Sequence, residues 1–492
     1  MFVRSTPEEA GISSRDVLGY IKALDRCNLK THGIIMARGN KIIAEGYYAP
    51  FQKDTKHRMY SVSKSFVAIA VGFAEQDGLL SLDDKFMQYF PEYENELTLE
   101  RYHETTIRDM ISMQSCMADY ALWWGKPDRA QSYFTVPSNQ IAGTNYFYDS
   151  AGSFLLGCIV EKLTGMPFME YLKKKCLDDI GFSKDAYCLK APGNWSHGDS
   201  GVMCTTYDLL LFARFVMNKG TWEGKRYLNE EFMSAAISMQ TDNSEKGAPN
   251  PYSKHGYGYL IWKMPRDGFA FIGMADQIAI CDPKTDFIFV ITSENHNSGG
   301  GASRLLMYDR LYVDIIEKLA DQPLAEDTKA LSELNDYLAT RKLPYLTGEP
   351  TNEALAQKIN GMTYALETNP MGISDIKVTL DGDKGTLTYH NEDGENRLHF
   401  GFGYNLYDKF PSKKRMSITA SVYEDGQYDC GTSAAWLMKD KLQIFSQVID
   451  TYIGNVLITL GFKDDRVSVS MVKYAQRILD HYDGHTVGKR VD

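Results

Sequence analysis

An α+β fold follows from this chain of 492 residues. It comprises one antiparallel sheet assembled from both ends of an N-terminal domain and flanked by helices, with a smaller strand-rich C-terminal domain. Three observations predict it. Apolar strand patterns occur near the N-terminus and again after Gly256, the long stretch between them reads mainly as helix, and short strand candidates dominate beyond about residue 360. Strands that bracket helices in this way are explained when both ends of a domain contribute to one sheet.

Taken in order, Pro7-Glu8-Glu9-Ala10 marks the start of a first helix that GISSRDVLGYIKALDR continues at helical periodicity. HGIIMARGNKIIAEGYY reads as a hairpin, two apolar strands around a turn at Arg38-Gly39-Asn40. The run Phe66 to Gly78 (FVAIAVGFAEQDG) is apolar almost throughout and closed by glycine, which predicts a buried helix. Residues 82 to 210 look mainly helical, with loops rich in tryptophan, proline and glycine between Trp123 and Thr144. HGYGYLIWKM, FAFIGMADQIAICD and FIFVITSE then resemble three strands, and Leu305 to Leu319 a final helix. The expected domains are 1–322, a polar connector at 323–360, and a strand-rich domain at 361–492. In that last domain ISDIKVTLD, GTLTYHN, NRLHFGFG, MSITASVY and NVLITLGF are strand candidates, and Val472 to Tyr482 is expected to be a terminal helix. Its polar residues Glu424, Asp429 and Cys430 form no convincing ligand set, so packing or a lid is the plainer expectation.

Composition narrows the function classes. A hydrophobic share of 43% describes an ordinary globular protein, and a formal charge of −11 argues against nucleic acid as a partner. Lys173-Lys174-Lys175 and Lys413-Lys414-Arg415 read as local solvated surface. The N-terminal MFVRSTPEEAGISS lacks a secretory apolar region, and no stretch is long enough to span a membrane. Eight cysteines without repeated spacing predict free, largely buried thiols. These signals together predict a cytoplasmic protein. The chain has no HExxH and its ten histidines are thinly spread, so neither a metal nor an organic cofactor is expected. A small-molecule or short-peptide substrate is expected, and a homo-oligomer is left open.

The chemistry concentrates at Ser61-Val62-Ser63-Lys64, at the start of the apolar helix. Residues three apart in a helix share a face, which brings a serine hydroxyl within reach of an amine. Such a serine becomes a nucleophile when the amine takes its proton, and a helix N-terminus favours the negative charge that develops. Spacing alone leaves a plainer reading open, in which Ser61 or Ser63 only caps the helix. Ser470-Met471-Val472-Lys473 repeats the spacing in a stretch expected to be an ordinary amphipathic helix.

With the hairpin before it, this tetrad resembles the serine beta-lactamase and penicillin-binding-protein superfamily. The nearest likeness is to its class C beta-lactamase-like group, which also contains DD-peptidases, esterases and oligomer amidases. THGIIMARGNKIIAEGYYAP, GLLSLDDKFMQYFPEY with TIRDMISMQSCM, and GDSGVMCTTYDLLLFARFVMNKG extend the likeness over roughly residues 5 to 318. The resemblance implies a beta-lactamase/DD-peptidase-like fold. It further implies Ser61 as nucleophile, Lys64 as its base, and Tyr148 of Tyr148-Asp149-Ser150 as proton relay, with Ser150 in a positioning role. The family's third signature falls on Gly273-Met274-Ala275, where glycine replaces the usual cation. The resemblance also places the oxyanion between the backbone N–H groups of Ser61 and Asp276, with Gly273, Met274 and Ala275 lining the pocket.

Loss of that cation argues against anchoring a substrate carboxylate. Residues expected to line the pocket on weaker grounds are His197, His296, Glu294, Trp123, Trp124 and Trp195. The expected activity is hydrolysis of an ester or amide through a Ser61 acyl-enzyme. The alternatives are a non-catalytic binding protein that keeps the fold, and a beta-lactamase or D-amino-acid-specific peptidase.

Overall fold

The computed structural model describes the chain apart from residues 99, 118–127, 246–250, 297–301, 350–351, 417–422, 476–477 and 492, and without the side chains of 303, 414–416 and 423–425. It divides into two compact units, the first built on Met1–Lys342 and the second beginning at Leu343.

Seven strands form the sheet of the first unit: β1 (Val3–Arg4), β2 (Thr31–Arg38), β3 (Lys41–Tyr47), β6 (Trp262–Lys263), β7 (Phe269–Gly273), β8 (Gln277–Asp282) and β9 (Phe287–Ser293). The short strands β4 (Lys56–Arg58) and β5 (Val202–Thr205) pair outside it. The order β1-β3-β2-β9-β8-β7-β6 joins the N-terminal hairpin to the later strands through β2 and β9, so both ends of the unit do meet in one sheet. Every pairing is antiparallel except β1 with β3.

Alternation along the strands sends side chains to two cores. On β2, Ile35 and Ala37 join the cluster with α2 (Ser63–Gln76), α3 (Ile107–Ile111), α4 (Ser150–Thr164) and α5 (Thr206–Met217). Ile34 and Met36 join the opposite cluster with α1 (Ser14–Arg26), α6 (Ala302–Asp314) and α7 (Thr328–Ala339). A sheet covered on both faces reads as near-continuous apolar sequence, which is how β8 and β9 look. Helix α2 is buried on all sides from Ser63 to Ala74, as its unbroken apolar sequence requires.

Up to the start of the second unit, three sequence expectations change. The first helix is interrupted: a single turn at Glu8–Ala10 ends at Gly11 (φ +80°), and α1 starts afresh behind the Ser13 cap. FAFIGMADQIAICD is two strands, β7 and β8, reversed by the turn Met274–Asp276. The stretch read as a connector is divided, because α7 packs Leu334 and Leu338 into the first unit while α8 (Glu353–Ile359) opens the second.

The second unit is a ten-stranded sheet. Its strands are β10 (Thr363–Leu366), β11 (Asp375–Asp381), β12 (Lys384–Asn391), β13 (Gly394–Phe402), β14 (Leu406–Lys409), β15 (Asp429–Leu437), β16 (Lys441–Ile449), β17 (Ile453–Lys463), β18 (Arg466–Tyr474) and β19 (Gly484–Arg490). A parallel pairing of β13 with β15 (Gly401 opposite Ser433) closes it into a barrel. The expected helix from Val472 is corrected. Val467, Val469 and Met471 point into the core while Ser468 and Ser470 point away, a period of two that makes Arg466–Tyr474 a strand. The candidate MSITASVY lies mostly outside the described residues. All eight cysteines are free thiols. Among the described residues, no helix is long and apolar enough to cross a membrane, and no cluster of three metal-ligating side chains exists.

Candidate active site

Ser61 sits in a tight turn, Tyr60–Val62, that leads directly into α2. Tyr60 holds a left-handed backbone (φ +46°), a sterically costly conformation for a residue with a Cβ, and the Arg58 guanidinium lies 4.8 Å from its ring centroid. The three nearby serines have separate fates. Ser63 Oγ accepts from Val202 N–H at 3.0 Å and Ser65 Oγ donates to the Leu260 carbonyl at 2.8 Å, so both are consumed in packing. Ser61 Oγ instead accepts from Lys64 Nζ at 3.0 Å. Neither Ser61 nor Ser63 caps α2, whose N-cap position is Val62.

Lys64 is 1% exposed, and its Nζ also donates to the Asp199 carbonyl at 2.8 Å. The loop carrying that carbonyl is pinned by cations. Arg129 Nη2 donates to the Asp199 carboxylate at 2.8 Å with both side chains buried, and Arg58 donates to the Ser200 carbonyl at 2.9 Å. Burial draws the Arg129 guanidinium down to about 10 against the pull of Asp199, so it remains charged at neutral pH. His197 is fully buried, its Nε2 lying 3.5 Å from Asp199 Oδ1. Burial first, then the charges of Arg129, Arg58 and Lys64, hold its imidazole well below the ordinary histidine range. It is a neutral interior group, and the expectation of a surface or pocket-lining residue is corrected.

Tyr148 reaches the same centre from the loop before α4. Lys64 Nζ lies over its ring, 5.1 Å from the centroid. The ring stacks on Trp262 (5.5 Å, 25°) and meets Tyr257 edge-on at 6.2 Å. The next residue fixes its backbone. Asp149 caps α4 by accepting from Gly152 N–H at 2.8 Å, and it also accepts from Ser115 Oγ at 2.7 Å and Tyr133 Oη at 3.0 Å. Burial raises the Asp149 carboxyl even against those bonds. A Cβ at position 152 would lie 2.5 Å from the Asp149 carboxylate, so glycine is needed there. Ser150 is the first residue of α4 and half-buried.

The third signature lies at the end of β7. A Cβ at Gly273 would stand 2.3 Å from the carbonyl of Met59, two residues before Ser61. Glycine there is a condition for β7 to approach the turn that carries Ser61, and it offers no cation. Asp276 pairs with Arg304 at 2.9 Å, and Met274 is half-buried. His296 is packed against Glu294 (Nδ1 to Oε1, 2.5 Å) and is not a surface residue. Trp195 packs against the core, and Trp123 and Trp124 lie outside the described residues.

The structure brings together the sequence-named Ser61, Lys64 and Tyr148, while Asp199, Arg129, Trp262 and Arg304 were not named from the sequence. A buried arginine and aspartate 70 positions apart leave no local pattern. Asp199 moreover serves Lys64 through its backbone, which side-chain motifs do not encode.

The beta-lactamase family model matches residues 23–314, more than half of the chain. The 6-aminohexanoate-dimer hydrolase of Paenarthrobacter ureafaciens is 23% identical over 282 residues, 53% of this chain and 71% of the relative. The lovastatin esterase of Penicillium rubens is 26% identical over 177 residues, 31% of this chain and 44% of the relative. Among solved structures, EstCE1, a hydrolase with promiscuous acyltransferase activity, superposes with a TM-score of 0.51 at 15% identity, over 61% of this chain and 99% of its own.

Proposed function

The chain belongs to the beta-lactamase family, and from that premise we propose that it hydrolyses ester or amide bonds through an acyl-enzyme on Ser61. The observation that carries this is the 3.0 Å contact between Lys64 Nζ and Ser61 Oγ, made by an amine held on its far side by the Asp199 carbonyl.

In the proposed cycle Lys64 takes the Ser61 proton as Oγ bonds to the substrate carbonyl carbon. The oxyanion is held by the Ser61 N–H and by the turn that ends at Asp276. Collapse of the tetrahedral intermediate breaks the bond to the alcohol or amine, which leaves with a proton relayed through Tyr148. Water then adds to the acyl-enzyme with its proton going to the same pair, and release of the acid restores Ser61. Lys64 Nζ lies 5.1 Å from the Tyr148 ring centroid, which supports placing the amine and the phenol in one centre. The cycle uses no metal or organic cofactor.

Gly273 offers no cation for a substrate carboxylate, which supports ester and neutral amide substrates over beta-lactams and peptide C-termini. The test is hydrolysis of p-nitrophenyl butyrate by wild type, Ser61→Ala, Lys64→Met and Tyr148→Phe, followed by 6-aminohexanoate dimer and D-amino-acid peptides. Ser61→Ala is expected to lose at least about 10⁴-fold in kcat/KM. Wild-type turnover by Ser61→Ala would sink the proposal.

A further inference from the structure

The turn between β7 and β8 is built at a steric cost. Ala275 and Asp276 both adopt left-handed backbones, with φ of +58° and +65°, and neither is glycine. Such a conformation persists where the surroundings over-determine it, and here they do.

Every carbonyl of the turn is gripped. Arg304 Nη2 donates to Gly273 O at 3.2 Å, and Gln277 Nε2 to Met274 O at 3.3 Å. Ser293 Oγ lies 2.7 Å from Ala275 O and 2.9 Å from Asp276 O, and the Asn295 N–H donates to Ala275 O at 3.3 Å. The Asp276 carboxylate is tied to Arg304 Nε at 2.9 Å and to Asn295 Nδ2 at 3.2 Å. These grips form one connected cluster, since Asn295 Nδ2 also donates to Ser293 Oγ and Gln277 Nε2 to Ser293 O.

A trans peptide points its C=O and the following N–H in opposite directions. Carbonyls drawn toward Arg304, Gln277 and Ser293 therefore turn the N–H groups of Met274, Ala275 and Asp276, in that order, away from them. Successive amides in a left-handed turn form a concavity suited to an anion. The start of this turn abuts the Met59 carbonyl, beside the nucleophile. Ser293 is itself specially placed: the register between β9 and β2 shifts between Thr292 and Ser293, and a bulge of this kind re-aims the side chain that follows it.

We propose that Ser293 and Arg304 are positioning residues, which lock this turn with its amides facing the carbonyl to be attacked by Ser61. The cation absent from Gly273 is thus supplied from α6 to the back of the turn. There Asp276 occupies it, so Arg304 is not an anchor for a substrate carboxylate.

This inference rests on the Ser61 acyl-enzyme reading, and the experiment separates the two. The full chain and its Ser293→Ala, Arg304→Gln and Arg304→Lys variants are compared for kcat and KM with p-nitrophenyl butyrate, thermal midpoint, and inhibition by phenylboronic acid. The boronate adduct on a serine is tetrahedral and puts an oxygen where the ester oxyanion would lie. Ser293→Ala and Arg304→Gln are expected to lose about 10–100-fold in kcat and in boronate affinity, with KM within about 3-fold of wild type. Arg304→Lys, which keeps the charge against Asp276, should recover part of that loss. Unchanged kcat and boronate affinity in a folded variant would overturn the inference, as would loss that follows the thermal midpoint with no difference between glutamine and lysine at 304. Should Ser293→Ala fail to fold, the two Arg304 variants decide alone. Wild-type activity that survives Ser61→Ala would instead refute the acyl-enzyme reading itself.

Discussion

Ser61–Lys64 and Ser470–Lys473 share one spacing, and of these two pairs only the first meets. Ser61 and Lys64 stand in the turn and first residues of α2, where a separation of three brings them within 3.0 Å. Ser470 and Lys473 lie on strand β18, where residues three apart point to opposite faces of the sheet. Lys473 there donates to the Ile478 carbonyl and pairs with Asp480, and Ser470 sits across from Thr459 and His485. The same two residue types meet in one backbone and point to opposite faces in the other. Surroundings widen the difference. Lys64 is 1% exposed and held by a loop that a buried ion pair braces, whereas Asp480, the partner of Lys473, is half exposed.

The largest expected contrast is in activity: Ser61→Ala should abolish ester hydrolysis, while Ser470→Ala should leave kcat/KM within about 2-fold of wild type. Equal losses in the two variants would erase the distinction. Next come the ion pairs. Asp199→Ala strands the buried Arg129 and should lower unfolding free energy by about 3–5 kcal/mol, against less than about 1 kcal/mol for Lys473→Ala, both read from urea denaturation. The Ser61 side should also be the acid-sensitive one. Burial pulls the His57 imidazole down to about 4, so the unfolded chain takes up this proton near 6.5 and the folded chain does not. Its contribution is therefore present above about 6.5 and is lost as pH falls toward about 4, by up to ~3 kcal/mol in all. Urea midpoints across that window should fall less steeply in His57→Gln. The smallest contrast is between glycines: Gly273→Ala meets the Met59 carbonyl at 2.3 Å and should cost about 1–3 kcal/mol and most of the activity. Gly461→Ala in the barrel, where the nearest atom is 4.0 Å away, should be nearly silent in both assays.

The contrast also explains what the sequence could disclose. Ser61 and Lys64 were legible because the apolar run of α2 is too long for a strand and is closed by glycine, so it read as a helix and local spacing translated into contact. The hairpin β2–β3 was legible for the matching reason, a turn between two apolar runs. In the barrel the signal failed. DCGTSAAWL and KLQIFSQVI are buried along most of their length, so β15 and β16 lack the apolar–polar alternation that marks a half-exposed strand. VSMVKYAQRIL carried enough apolar residues at helical spacing to mask the period of two in β18. In the site itself the gaps follow sequence distance. Asp199 lies 135 positions from Lys64 and acts through a carbonyl, and Arg304 lies 28 positions from Asp276 on another element.

Intact mass after treatment with a small fluorophosphonate tests the central claim most directly, with wild type, Ser61→Ala and Ser470→Ala in parallel. The account predicts one phosphonyl adduct on wild type and on Ser470→Ala, and none on Ser61→Ala. An adduct that persists in Ser61→Ala, or a folded wild type that takes up none, would contradict it.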